Sequence, residues 1–151
     1  MIEKLEIYTD GSYRPSDDFG AYGFIAISGD RKISQVWTKE KTTNNVMEIM
    51  AVYAALLFIK DHEIDQEFDV IHIFCDSSYV VNSTTLWWEG WKANGYRTKT
   101  GPVKNKELLH SIVDLLEEFP NVRLKWVKGH EDSQYNNEID ELVQNATKIK
   151  P

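Results

Sequence analysis

Four carboxylates stand apart from the other acids of this 151-residue chain by where they fall. Asp10 and Asp76 each follow a short apolar or alternating run, and each is followed by a small residue, Gly11 and Ser77. Glu48 is the lone charge in the apolar stretch from Thr42 to Ile59, TTNNVMEIMAVYAALLFI. Asp140 lies four residues after Asn136 in NNEIDEL, a spacing that puts both on one helix face. Taken singly, each has a plain structural role. An aspartate after a strand caps the next helix or forms a turn, and a glutamate can leave a buried helix through a gap to solvent. Taken together they point to a site. The carboxyl ends of neighbouring strands in an open α/β sheet form the crevice where ligands sit. Carboxylates gathered there repel and raise one another's pKa, and a divalent cation relieves the repulsion. Oxygen donors without a His or Cys cluster suit Mg²⁺ or Mn²⁺ rather than zinc.

Other polar residues sort around these four. His130 follows Gly129 in a polar loop; beside a metal site such a histidine can shuttle protons near neutral pH. His62, in HEIDQ, lacks the second histidine of a zinc motif and reads as loop surface. His72 and His110 have no assigned role, and Glu138 and Glu141 read as solvated charges. Glycine-rich loops of the GxGxxG or GKT kind are absent, which argues against nucleotide binding in that style.

The acids can meet only if the chain folds as an α/β domain. Residues 2 to 9 alternate and read as a strand ending at Thr9-Asp10-Gly11-Ser12, with a loop from Tyr13 to Gly20. Ala21 to Ser28 and Lys32 to Thr38 are two further strands around the Gly29-Asp30 turn, forming antiparallel hairpins with the first. Thr43 to Lys60 is a helix, apolar on nearly every face and so buried on most sides. An acidic loop from Asp61 to Glu67 leads to a strand over Phe68 to Cys75. Strand, helix, strand implies parallel addition to the sheet. Ser77 to about Trp91 reads as a helix, Lys92 to Pro102 as a basic arm, Asn105 to Phe119 as an amphipathic helix stopped by Pro120. Asn121 to Val127 is a last strand with Val122, Leu124 and Trp126 alternating. A polar loop, Lys128 to Tyr135, precedes a closing helix over about Asn136 to Lys148. The expected fold is a five-stranded mixed sheet, three antiparallel strands then parallel additions, flanked by helices, in one domain over residues 1–151.

Composition sets the remaining bounds. Hydrophobic content of 42% and charged content of 27% match an ordinary globular protein with a real core. A net charge of -7 argues against holding nucleic acid by bulk electrostatics alone. Its distribution matters more, because Lys92, Arg97, Lys99, Lys104 and Lys106 fall in an acid-free interval between Glu89 and Glu107. The single cysteine, Cys75, excludes an internal disulfide and fits a reducing compartment. No apolar run reaches membrane-spanning length, and the first residues enter a strand pattern at once; both lead us to expect a cytoplasmic protein with no membrane contact.

Read in order, Tyr8-Thr9-Asp10-Gly11-Ser12, TTNNVMEIMA with Glu48, Cys75-Asp76-Ser77-Ser78-Tyr79-Val80, Val127-Lys128-Gly129-His130 and Asn136 with Asp140 resemble type 1 ribonuclease H. Trp87, Trp91, Lys92, Gly95 and Pro102-Val103-Lys104-Asn105 resemble the helix and basic protrusion of its bacterial members, so the likeness covers almost the whole chain. The resemblance implies an endonuclease that cuts the RNA strand of RNA–DNA hybrids, leaving 5′-phosphate and 3′-hydroxyl ends. It implies that Asp10, Glu48, Asp76 and Asp140 hold two Mg²⁺ ions about 4 Å apart, with Mn²⁺ as an alternative. His130 corresponds to a mobile histidine that assists proton transfer or product release. Gly11, Ser12, Asn44 and Asn45 correspond to contacts in the minor groove, where the 2′-hydroxyl marks RNA. Thr43 corresponds to a DNA-phosphate pocket, Trp87 to an aromatic packed on the DNA strand, and Lys92 and Lys99 to the basic protrusion. Trp87 could equally fill the core.

This sequence departs from the family pattern in its first loop, where Tyr13 to Gly20 replaces a glycine-rich segment, and in the pair Asn136-Asn137, where the family has Asn-Glu. Its protrusion is also less densely basic. All four acids remain. A resolvase or integrase-like nuclease of the same fold and a non-catalytic hybrid-binding module are the competing readings. The TTNN stretch and the basic arm count against the first, the retained acids with His130 against the second. A monomer without protein partners is the expected form.

Overall fold

The computed structural model describes residues 4–128 and 133–149. Three long strands come first, β1 (Leu5–Arg14), β2 (Phe19–Ser28) and β3 (Arg31–Glu40). Helix α1 (Asn44–Asp61) leads through a 3₁₀ turn, Ile64–Gln66, to β4 (Ile71–Cys75). The segment read as one helix after Ser77 is three pieces: α2 (Ser78–Asn82), a π-helical turn (Ser83–Trp87) and α3 (Trp88–Ala93). Within the basic arm, β5 (Arg97–Thr98) and β6 (Gly101–Pro102) pair as a two-residue ribbon. Helix α4 (Lys106–Glu118), β7 (Val122–Trp126) and α5 (Gln134–Thr147) complete the described chain.

The main sheet has five strands in the order β3-β2-β1-β4-β7. β1, β2 and β3 pair antiparallel, while β1 with β4 and β4 with β7 pair parallel, the mixed arrangement expected from the sequence. β2 is buried at every position but Tyr22, because helices cover both of its faces. β3, at the sheet's edge, is exposed almost throughout.

Alternation sends the side chains of β1 to two different cores. Leu5 and Ile7 join Phe24 of β2 in the larger core, where the fully buried α1 residues Ile49, Val52, Leu56 and Ile59 meet α4 through Leu109 and Ile112. Tyr8 points to the opposite face, where Ile25 and Ile27 of β2 meet Ile139 and Val143 of α5. Each fully buried aliphatic of α1 contributes about 1.5–3 kcal/mol, which explains why this helix can be apolar nearly all round. Its start is fixed by Thr43, whose Oγ1 accepts from the Val46 N–H at 3.1 Å. Ser77 and Ser133 cap α2 and α5 in the same way. No helix of the described residues is long and apolar enough to cross a membrane.

Candidate active site

The first correction to the sequence reading lies at Asp10. This residue does not end its strand: β1 continues to Arg14, with Asp10 opposite Gly23 of β2. What ends there is the parallel ladder, whose last pair is Thr9 with Cys75. β4 stops at Cys75, and Asp76 and Ser77 turn the chain into α2. Asp10 and Asp76 thus stand side by side one step beyond the last paired row, at the point where β1 keeps only one neighbour. The Thr9 hydroxyl donates to the Phe74 carbonyl at 3.0 Å just beneath them. The Trp126 indole N–H donates to the Asp76 carbonyl at 3.2 Å.

Glu48 reaches the same point from α1, and Gly11 is what allows it. A β-carbon on Gly11 would lie 2.4 Å from the Met47 carbonyl carbon and 2.5 Å from the Glu48 nitrogen. The first turn of α1 therefore rests backbone-on-backbone against β1. Asp10 is 2% exposed and Glu48 8%, which excludes the reading in which Glu48 escapes to solvent. Carboxylate oxygens of Asp10, Glu48 and Asp76 all lie within 4.8 Å of one another.

Electrostatics follow from that crowding. Burial, then the Glu48 and Asp76 charges, raise Asp10 far above the ordinary carboxylate range. Burial and the Asp76 charge also raise Glu48, against the opposing pull of hydrogen bonds from Asp10 and the Gly11 backbone. The Gly11 N–H also donates to Asp10 Oδ1 at 2.9 Å. Glu48 Oε2 is itself buried with no hydrogen-bond partner among the described residues. A buried carboxylate oxygen without a donor is costly, and beside two more carboxylates it asks for a cation. The set is all oxygen, as Mg²⁺ and Mn²⁺ prefer.

Asp140 approaches from α5 on the other side of the sheet and hydrogen-bonds Asp10. Gln144 Nε2 holds both of its oxygens at 3.1 Å. One turn earlier, Asn136 is 2% exposed with its Oδ1 unpartnered among the described residues. His130 lies outside the described residues.

A surface groove is lined by Asn45, Tyr79, Trp87, Trp91, Thr98, Thr100 and Lys104. It joins the start of α1 to the basic arm, bringing Asn45 and Trp87 to one surface although they are far apart in sequence. Lys99 lines an adjoining hollow with Trp87, Trp91 and Arg97. Lys92 is exposed and lines neither. Ser12 lies on β1 beyond Asp10, while Thr43 and Asn44 are exposed at the start of α1. The π-helical turn separates the roles of two adjacent tryptophans. Trp87 is 42% exposed, so it does not fill the core; Trp88, at 4%, does, packed on Tyr96 and His110. The sequence reading missed Thr98 and Thr100 as groove walls, and it read Trp126 as an inward strand residue. Trp126 is 52% exposed and holds Asp76 by its backbone. No signal in the sequence marked it, because its place opposite Cys75, next to Asp76, is set by strand pairing.

A family model described as RNase H matches residues 2–148. A ribonuclease H of Clostridium botulinum is 38% identical over 150 residues, covering 96% of each chain. One of Ehrlichia canis is 38% identical over 145 residues, covering 95% of this chain and 94% of its own. Among solved structures, LC9-RNase H1, a type 1 RNase H with the type 2 active-site motif, superposes with a TM-score of 0.79 at 21% identity, covering all of this chain and 75% of that one. A prototype foamy virus protease–reverse transcriptase matches with a TM-score of 0.77 at 21% identity, over 99% of this chain and 21% of that one. The two structures speak for the fold, and the family match with these near-full-length relatives speaks for descent: the chain belongs to the RNase H family.

Proposed function

We propose that this protein is an endonuclease that hydrolyses the RNA strand of RNA–DNA hybrids with the help of two divalent cations, leaving 5′-phosphate and 3′-hydroxyl ends. The observation that carries the reading is the triad of buried Asp10 and Glu48 with half-buried Asp76, in which Glu48 Oε2 has no hydrogen-bond partner among the described residues. Asp10, Glu48, Asp76 and Asp140 would hold the ions, Mg²⁺ first and Mn²⁺ as a substitute. Bound there, such ions supply Lewis acidity that eases deprotonation of the attacking water and charge build-up on the leaving oxygen.

The chain's own residues do the rest. The Gly11 N–H and the backing of α1 fix the Asp10 and Glu48 carboxylates before substrate arrives. Gly11, Ser12, Asn44 and Asn45, at the junction of β1 and α1, would read the minor groove and its 2′-hydroxyls. Thr43, at the α1 N-terminus, would meet a DNA phosphate. Trp87 and Lys99, along the groove toward the basic arm, would take the DNA strand, with Lys92 adding charge nearby. His130 is assigned to proton transfer or product release. The protein would act as a single-domain monomer over residues 1–151, and the lone buried Cys75 supports a cytoplasmic setting.

The test is incubation with labelled RNA–DNA hybrid, duplex RNA, duplex DNA and single-stranded RNA, with Mg²⁺ and with chelator. Cleavage confined to the RNA of the hybrid, abolished by chelator and by Asp10→Asn, is the expected result. Cleavage of duplex DNA would instead identify a resolvase-like nuclease. Hybrid binding without cleavage would identify an interaction module.

A further inference from the structure

The face of the sheet that carries Asp10 and Asp76 does not end at the acids. Strand register places three rows on it. Asp10 and Asp76 form the first row, beyond the paired ladder. Tyr8, Phe74 and Lys125 form the second, and Glu6, His72 and Arg123 the third. Helix α5 packs over β1, β2 and β3 on this side, so among the described residues no helix covers the β4–β7 part of it. Tyr8 and Phe74 are stacked with ring centroids 4.9 Å apart, and Tyr135 of α5 adds a third ring 5.6 Å from Tyr8. Lys4, Arg123 and Lys125 are exposed, and among the described residues Lys4 and Lys125 make no ion pair. The Arg123 guanidinium donates to the Pro120 carbonyl. His72 lies in the field of all three cations, opposed among the described residues by Glu6. On a chain of net charge -7, this is a local basic surface interleaved with aromatic rings.

We propose that this β1–β4–β7 face binds single-stranded nucleic acid that continues past the catalytic row. Rings on a sheet surface stack bases without sequence preference, and flanking lysines and arginines hold the backbone. Two residue steps along a strand span about 7 Å, so the three rows cover about 13 Å, room for two to four nucleotides. The surface starts where the proposed reaction takes place, so the natural ligand is an overhang of the hybrid being cut. In that respect the inference rests on hybrid cleavage, whereas the binding itself does not.

The experiment reads fluorescence anisotropy of a labelled single strand of about 12 nucleotides, in chelator, against wild type, the double variant Arg123→Glu with Lys125→Glu, and Phe74→Leu. Both charge changes are at exposed positions, and circular dichroism checks that each variant is folded. Expected are binding by wild type, about tenfold weaker binding by the charge variant and about threefold weaker binding by Phe74→Leu. The charge variant should cleave a blunt hybrid at the wild-type rate and lose the advantage wild type shows on a hybrid with a single-stranded tail. Equal binding by all three proteins overturns the proposal. So does equal binding of an abasic strand, which would show attraction of any polyanion, and so does an equal loss of affinity for blunt hybrid. Failure of wild type to cleave any hybrid would overturn the proposed reaction and leave the single-strand measurement standing.

Discussion

Gly11 and Met47 are in backbone contact: a methyl group on the Gly11 α-carbon would sit 2.4 Å from the Met47 carbonyl carbon. Neither side of that contact can yield by rotating a side chain, because the nearest atoms all belong to the backbone of α1. The distance between Asp10 and Glu48 therefore depends on an absent atom. The approach needs a residue without a β-carbon on the α1 face of β1, immediately after an acid on the other face.

Replacing Gly11 by Ala should push α1 from β1 and pull Glu48 away from Asp10. The expected result is a loss of about 1–3 kcal/mol in stability from overpacking. A fall of about 100-fold in kcat at saturating Mg²⁺ should accompany it, because small misplacements of catalytic groups are costly. Ser12→Ala, one residue on and with no such contact, should raise KM and leave the melting temperature within about 1 °C. Thermal melts and steady-state cleavage of a labelled hybrid separate the two.

The crowded acids should make the metal-free protein a compromise between stability and function. Glu48→Gln removes a buried charge while keeping shape. It should stabilise the metal-free protein by about 1–2 kcal/mol, or about 2–8 °C in Tm for a chain of this size, while abolishing cleavage. Asp76→Asn should act in the same direction. Clear loss of stability in both, measured in chelator, would contradict the account of the site.

The pH dependence follows with a definite sign. Asp10 and Glu48 have raised pKa values in the folded protein, so between the unfolded carboxylate value of about 4 and the raised folded values the native state binds more protons than the unfolded one. Stability from these groups is fully present below the lower limit and is lost as pH rises through the folded values. In chelator, Tm should fall from pH 5 to pH 9, with a shallower fall in Glu48→Gln. Added Mg²⁺ should remove most of the slope, and at about 100 times its Kd it should add about 2.7 kcal/mol. A flat profile in chelator would mean that the acids are not coupled in the folded chain.

Adjacent tryptophans should give opposite phenotypes. Trp88→Ala empties a core site between Tyr96 and His110 and should cost about 3–5 kcal/mol, enough to impair folding. Trp87→Ala, at a ring that is 42% exposed, should alter stability by less than about 1 kcal/mol and raise KM several-fold with kcat nearly kept. Urea titrations of the two variants beside their hybrid kinetics check this.

Much of the site was legible before any coordinates. Glu48 announced itself as one charge in a long apolar run, and Asp10 and Asp76 as acids following β-rich segments, because side-chain periodicity and the cost of burying charge are local properties of the chain. The mixed sheet followed from the order of hairpins and a long crossover helix. Other features depend on what meets what across the fold. That β1 runs on past Asp10 to Arg14 is set by pairing with β2, which continues after β4 has turned away. That Trp87 faces a groove and Trp88 the core is set by a π-helical turn, whose extra residue shifts the helical register. Trp126 fitted the inward alternation of its strand, yet it lies at the strand's open end with its indole tied to the Asp76 carbonyl. The sequence alone determined which residue types carry the charge and which segments must be buried. The tertiary structure alone decided how near the acids come to one another, because that distance is set by a backbone contact at Gly11 between segments far apart in the chain.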